Sequence, residues 1–268
     1  VPTFDFLQGL DADLQQSLLN QLRDLWTHSS TALEGNTLTL GETKFLLEEG
    51  LTVAGKPLKD HQSVVGHARA IELLYQAAAQ PVTVDLLFAL HKAVQTEVVT
   101  DIDQPNGDWK RQHNGTYAIN AQGQQVFIEF AEPDAVAELM KQWLTQLNSF
   151  YQKKQTLLEC IQAYAKLHLG FVHIHPFFDG NGRMARLLCN LVLLWSGFPP
   201  VVIDVQKRQL YLRIIADYQL QVGQLQAGST VWPREDLILP FNQFCQQAYQ
   251  QTEALLSAAH QQQQKRHA

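Results

Sequence analysis

The chain is 268 residues long, enough for one large domain or two small ones. Hydrophobic residues make up 46 % of it and charged residues 17 %, which rules out a disordered polyelectrolyte and supplies a sizeable core. The net charge of −6 argues against a general nucleic-acid binder, although a single basic pocket is compatible with it.

In chain order, Leu10, Leu14, Leu18, Leu19, Leu22 and Leu25 recur near the helical period and predict an amphipathic first helix. Residues 39–49 predict a second, opened by Thr39 with Glu42 as a capping box. Pro57 interrupts the pattern, and residues 61–79 resume it. Pro81 and Thr83 open a fourth helix running to about Glu97, with Leu86, Leu87, Leu90 and Val94 on its face. Residues 103–130 are not helical: Tyr117-Ala118-Ile119 and Val126-Phe127-Ile128-Glu129 flank Gln122-Gly123 and predict a β-hairpin, which needs support from another element. Pro133 stands in the first turn of a fifth helix, where its missing N–H costs little. Residues 156–173, 183–195, 207–222 and 236–262 predict four more, the seventh closed by Gly197 and Pro199-Pro200, with Gln261–Gln264 as a frayed end.

The reading is all-α with one small hairpin, and without a linker or repeat it is one compact domain. Cys160, Cys189 and Cys245 are widely spaced and read as reduced core thiols. The longest apolar run, around Leu187–Trp195, is shorter than the roughly 20 residues a bilayer span needs, so no membrane partner is expected. The start carries no basic stretch of a signal peptide, so a cytoplasmic location is expected, with a removed leader left open by the missing initiator Met.

The chemistry concentrates in His173-Ile174-His175-Pro176-Phe177-Phe178-Asp179-Gly180-Asn181-Gly182-Arg183-Met184-Ala185-Arg186. A helix ends, a loop with two glycines follows, and a new helix begins. Free N–H groups and the dipole at such a start favour an anion. Arg183 and Arg186 share a face of the first turn, where arginine opposes the dipole and a bound polyphosphate would give it a reason. Asp179 beside a polyphosphate suits Mg²⁺, and His175 suits a general base for an incoming hydroxyl. Taken singly, the glycines are turn residues, Asp179 is a helix cap and His173 is structural. His173 and His175 as a zinc pair lack a companion ligand set. Together within one loop they read as phosphoryl or nucleotidyl transfer.

The run from His175 to Arg186 resembles the Fic family signature H-P-F-x-D-G-N-G-R-x-x-R at every fixed position, and Leu167–Ile174 resembles the family's run-in. The similarity spans roughly residues 25–220. The resemblance implies a helical Fic fold and transfer of AMP from ATP to a Ser, Thr or Tyr hydroxyl on a protein. It implies His175 as the base, Asp179 as the Mg²⁺ ligand, Gly180, Asn181 and Gly182 as an anion hole at the α- and β-phosphates, and Arg183 and Arg186 on the β- and γ-phosphates. The hairpin resembles the Fic flap, which docks an extended target segment. Gly107 and Trp109 would then belong to its first arm, and Thr116, Tyr117, Ala118 and Ile119 to its target-binding strand. Tyr211 would stack on adenine, while Ala216-Asp217 departs from the family's Ala-Asn pair.

A second stretch, Ser29 to Leu40, points to control. Ser30 with Glu34 and Gly35 reads locally as a helix turn ended by a glycine. It also resembles the Fic inhibitory motif [S/T]-x-x-x-E-[G/N], placed before the core as in the subgroup with an N-terminal inhibitory helix. The implied layout is N-terminal helices over 1–80, a Fic core over 81–222 and a helical extension over 223–268. The implied control is competition: Glu34 would occupy Arg186 and deprive ATP of its γ-phosphate clamp. A glutamate there could instead position water, giving removal of AMP from a modified protein, alone or alongside transfer. A catalytically silent nucleotide-binding module is the reading from another class, and the intact His175 and Asp179 oppose it. A homodimer would cover apolar faces of the early helices.

Overall fold

A computed structural model describes residues 4–96, 104–120 and 122–267. Ten helices are described: α1 (Ala12–Ala32), α2 (Leu40–Glu49), α3 (Leu58–Ala77), α4 (Val84–Val94), α5 (Val136–Asn148), α6 (Leu157–Ile174), α7 (Asn181–Leu188), α8 (Leu191–Ser196), α9 (Arg208–Val222) and α10 (Leu239–His267). Between α4 and α5 lies the hairpin of β1 (Gly115–Ile119) and β2 (Gln125–Glu129), antiparallel, with Tyr117 opposite Phe127. The all-α architecture with a small flap is thus the one expected.

α6 is the axis of the bundle. From Cys160 to Ile174 nearly every side chain is buried, because α5, α7, α8 and α10 close around it. Trp143 of α5 donates its indole N–H to the Leu167 carbonyl at 2.8 Å, which lets a fully buried tryptophan keep a polar partner. α1 lays Leu14, Leu18, Leu22 and Trp26 against this core, the stripe its leucine spacing predicts. Each such buried leucine contributes about 1.5–3 kcal/mol. The Thr39–Glu42 capping box forms as expected, and Thr156 with Glu159 makes a second one at the start of α6.

Several boundaries differ from the expected ones. The third helix starts at Leu58, directly after Pro57, because His61 bridges the Val53 N–H and the Pro57 carbonyl and closes the entering turn. The fourth ends at Val94; Glu97 lies outside the described residues. The seventh is divided into α7 and α8. At the division Asn190, fully buried, donates to the Arg186 and Val201 carbonyls and accepts the Val201 N–H. The C-terminal glutamines are not frayed. α10 continues to His267, where Arg266 pairs with Asp11 and Asp13 and Gln263 accepts the Asp11 N–H at 2.7 Å. Among the described helices none is long and apolar enough to cross a membrane.

Candidate active site

α6 stops because Pro176 cannot continue it: the ring has no N–H to donate and clashes with the preceding turn. His175 takes the C-cap position in the left-handed region, φ 52° and ψ 62°. For a residue with a Cβ this costs about 1–3 kcal/mol. The loop then turns back through Phe177, whose N–H and carbonyl are both held by the side chain of Asn181 at 2.9 and 2.8 Å. Gly180, at φ 79°, caps α7 and leaves its first-turn N–H groups unpaired along the helix.

His175 stacks on Phe130, ring centroids 3.7 Å apart and planes 4° from parallel. Its Nδ1 meets the Val172 carbonyl at 3.3 Å. A carbonyl only accepts, so Nδ1 carries the proton and Nε2 is the basic nitrogen. Burial, helped by the Lys110 charge, pulls the imidazole down to about 3, so it is neutral at pH 7. Lys110 itself is 2 % exposed, and burial lowers its ammonium to about 7.

The two arginines have different surroundings. Arg183 donates to the Val94 carbonyl at 3.2 Å, to Gln95 Oε1 at 2.9 Å and to Asp179 Oδ2 at 3.2 Å. Asp179 stays largely exposed. Arg186 is almost wholly enclosed: Nε donates to Ser30 Oγ at 3.0 Å, Nη2 to the Ser30 carbonyl at 2.9 Å and to Glu34 Oε1 at 2.6 Å, and Nη1 to the Tyr211 hydroxyl at 3.0 Å. Gly182 lets Glu34 and Arg186 meet directly above the helix start. A Cβ would stand 2.6 Å from Glu34 Oε1 and 3.0 Å from Arg186 Nη1.

Of the second stretch, Ser30 and Glu34 contact Arg186 of the signature. α1 ends at Ala32, and Gly35, at φ 95°, reverses the chain. Arg208 Nε donates to the Leu33 carbonyl at 2.7 Å. Buried Asp60 accepts the Thr37 N–H and hydroxyl at 2.8 and 2.7 Å, and its carbonyl accepts from Asn36. The Glu34 side chain nevertheless remains 46 % exposed.

Glu34 also separates two cavities. One, of about 620 Å³, is lined by His175, Gly182, Arg186, Phe130 and the strand Gly115–Ile119. The other, of about 230 Å³, is polar and lined by Asp179, Arg183, Gln95 and Asp60. Glu34 lines both. A larger cavity of about 800 Å³ near Phe4, Tyr75 and Trp195 contains none of the signature residues.

Two expected placements are corrected. Gly107 and Trp109 are not in the hairpin, whose first strand is Gly115–Ile119. The Gly107 N–H donates to His91 Nδ1, and Trp109 packs edge-on against Phe88 at 4.7 Å and tilted against Phe177 at 5.4 Å, so this segment backs the loop. Tyr211 offers no open face to a base: it is 2 % exposed, packed near Phe241 and Phe244, and its hydroxyl joins Arg186 to His168. The Asn181 side chain holds Phe177, and its backbone N–H stays at the helix start, where the anion hole was expected. Thr116, Tyr117, Ala118 and Ile119 do line the larger cavity.

Residues that the sequence analysis did not single out complete the site. His91 accepts the Gly107 N–H at Nδ1, donates from Nε2 to the Asp179 carbonyl at 3.0 Å and stacks on Phe177 at 3.8 Å; burial holds its imidazole down at about 4. Gln95, Lys110, Asn114 and Phe130 also belong here. Only the apolar periodicity of the fourth helix hinted that α4 would lie against the loop.

Among the described residues no three His, Cys, Asp or Glu side chains gather to hold a metal. One exposed carboxylate, Asp179, fits a Mg²⁺ that arrives with substrate phosphates and keeps water ligands, rather than one held in a protein cage.

Residues 81–193 match the model of the Fic/DOC family. The chain is 34 % identical over 187 residues to a protein adenylyltransferase Fic of Nematostella vectensis, covering 69 % of this chain and 40 % of that protein. It is 32 % identical over 192 residues to the protein adenylyltransferase fic-1 of Caenorhabditis elegans, covering 70 % and 35 %. It therefore spans well under half the length of these curated relatives. The crystal structure of a Fic-domain signaling protein from Bacteroides thetaiotaomicron superimposes with a TM-score of 0.80 at 29 % identity, covering 95 % of this chain and 92 % of that one. Fic-1 of C. elegans shares the fold, with a TM-score of 0.70 at 23 % identity, covering 95 % and 69 %.

Proposed function

We propose that this chain, which carries a Fic/DOC family domain over residues 81–193, is a protein adenylyltransferase restrained by its own first helix. It takes ATP with Mg²⁺ and passes AMP to a Ser, Thr or Tyr hydroxyl of a target protein. The observation that carries this reading is the 2.6 Å contact of Glu34 with Arg186, made across Gly182 in the middle of the anion-binding turn. The names of the relatives support the chemistry.

The target hydroxyl oxygen attacks the α-phosphorus of ATP, its proton passes to Nε2 of His175, and the bond to pyrophosphate breaks. The neutral imidazole fixed by Val172 suits the base role. The N–H groups at the start of α7 take the growing charge on the phosphates. Bound at Asp179, Mg²⁺ would supply neutralising charge to those phosphates. Arg183 offers the Nη2 that now meets Asp179 to the β-phosphate, while the Val94 carbonyl still accepts from Nη1. The target lies along β1, which among the described residues pairs only with β2 and can accept an extended segment at its other edge.

Inhibition is a competition for one guanidinium. While Glu34 holds Arg186, the γ-phosphate has no clamp and the two cavities stay divided, so the α-phosphate is not presented in line to His175. Removing the carboxylate frees the arginine and joins the cavities.

A second activity draws on one observation. Glu34 engages Arg186 through Oε1, is half exposed and lines the cavity that holds His175. It can orient a water for attack on an AMP–protein bond, which gives de-AMPylation with the same loop. A homodimer over the exposed Leu40, Phe45, Leu58 and Val65 of α2 and α3 belongs to the same reading. Sedimentation at micromolar concentration tests it.

The experiment for the main reading is self-modification with α-labelled ATP and Mg²⁺, comparing the parent, Glu34→Gly and His175→Ala. Label is expected in Glu34→Gly, at a low level in the parent, and none in His175→Ala. Equal initial rates in parent and Glu34→Gly contradict the inhibition. Label released from a pre-modified target by the parent alone would favour the second activity.

A further inference from the structure

The sharp exit from α6 runs over residues 174–178, and two residues far upstream hold most of its carbonyl oxygens. The Lys110 backbone N–H donates to the Pro176 carbonyl at 2.9 Å, and its ammonium reaches the Ile174 carbonyl at 3.5 Å. Asn114 Nδ2 reaches the Phe177 and Phe178 carbonyls at 3.2 and 3.5 Å. The two residues are joined to each other by Lys110 Nζ and Asn114 Oδ1 at 2.7 Å. The residue they bracket without touching its carbonyl is His175, the left-handed one. A non-glycine residue stays left-handed only where its surroundings over-determine it.

The same pair reaches the imidazole. The Asn114 carbonyl accepts the Phe130 N–H at 3.1 Å, and the Phe130 ring lies flat on His175. The Lys110 ammonium stands 5.9 Å from the Phe130 centroid. A lysine enclosed to 2 % exposure forfeits its hydration, and packing alone asks only for a methionine or leucine of similar length. What the ammonium adds is donors in a place where carbonyls need them.

We infer that Lys110 and Asn114 are positioning residues for the transfer base: they fix the left-handed backbone of His175, seat Phe130 against its ring and tie the root of the hairpin to the catalytic loop. The inference rests on the adenylyltransferase reading for its kinetic consequence but not for its geometry. Through this tie, a target segment added to β1 is registered against the loop that carries the base.

The test uses the full chain in the Glu34→Gly background with Lys110→Met, Lys110→Arg and Asn114→Ala. Displacing a base by about an ångström lowers kcat roughly 100-fold, so Lys110→Met is expected to lose 10- to 100-fold in kcat with KM for ATP within twofold. Lys110→Arg, which keeps the donors, is expected to recover part of the loss. The second readout is the His175 ring-proton signal in NMR, identified by its absence in His175→Ala. Stacking on Phe130 shifts it upfield in the parent; in Lys110→Met and Asn114→Ala it is expected to move toward the unstacked position. An unchanged kcat, or an unmoved His175 signal in a folded Lys110→Met, overturns the inference. If Lys110→Met does not fold, Asn114→Ala carries both readouts. If no variant transfers AMP, the adenylyltransferase reading fails and the NMR signal still decides the clamp.

Discussion

The signature loop and the turn that carries Glu34 face each other across Arg186, and they are built differently. From His175 to Arg186 the chain is braced on every side: Asn181 holds Phe177, Lys110 and Asn114 hold the carbonyls, and His91 and Gln95 hold Asp179 and Arg183. The turn before α2 reaches this assembly through Ser30, which is buried, and Glu34, which is 46 % exposed at its side chain. If, as proposed, the loop holds a transition-state geometry and Glu34 restrains it, the over-determined part is the machinery, and the restraint is attached where water can replace it. A buried ion pair with both partners enclosed would be difficult to open. One with a half-exposed carboxylate can be displaced by a better anion, and a triphosphate is one.

The largest way to break this contrast is to remove its shared member. Arg186→Leu leaves Ser30, Tyr211 and Glu34 without their common donor. The Glu34 carboxylate left behind is half exposed, but the Ser30 and Tyr211 groups are buried, and each buried group left unpaired costs about 1–3 kcal/mol. Urea unfolding is expected to show that loss, together with loss of AMP transfer. A stability change below 1 kcal/mol would mean that the enclosed arginine is not the hub described.

Acid tests the braced half. Burial holds His67 and His175 down at about 3, His91 and His173 at about 4, and His168 well below its ordinary 6.5. Between pH 6.5 and those folded values the unfolded chain binds more protons than the folded one, so stability falls as pH falls, by up to about 1.4 kcal/mol per pH unit for each histidine. Above pH 6.5 the histidine contribution fades, and buried Lys110, held at about 7, takes over with the same sign. Thermal midpoints are expected to fall gently from pH 8 to 7 and steeply from 6.5 toward 4.5. A flat profile down to pH 5 would contradict the neutral, buried state of these rings.

Glu34→Gly is expected to behave in the opposite way to Arg186→Leu, with a large kinetic gain and a small stability change. The lost pair is half exposed, so about 1 kcal/mol or less should disappear from the unfolding free energy while AMP transfer rises at least tenfold. The smallest effect is expected from Arg208→Gln. It releases the Leu33 carbonyl next to Glu34 and should raise basal transfer a few-fold without altering the melting temperature by more than a degree or two. No change in rate would show that the turn is held by Asp60 alone.

The half of the site that lies in one unbroken run was legible in the sequence. His175, Asp179, Gly180, Gly182, Arg183 and Arg186 are neighbours in sequence and in space, and a glycine-flanked helix start with two arginines has few other uses. Glu34 was legible only through its likeness to a known motif, because a glutamate before a glycine is also an ordinary helix end. The braces were not legible. Gln95 meets Arg183 across 88 positions, and Lys110 sits between Trp109 and Arg111, where a lysine reads as a solvated side chain. Tyr211 was assigned to a ligand because its type suits one. Burial and partners, which spacing does not reveal, commit the Tyr211 side chain to Arg186 and the Asn181 side chain to Phe177. Asn190 inside an apolar run gave no warning that it would bond Val201 where the helix divides.

The central claim, that the Glu34 carboxylate and the γ-phosphate compete for Arg186, is tested most directly by calorimetric titration of ATP and of ADP into the parent and Glu34→Gly, with Mg²⁺ present. The account predicts that Glu34→Gly binds ATP more tightly than the parent does and binds ADP with unchanged affinity. An equal gain for both nucleotides, or none for ATP, would contradict it.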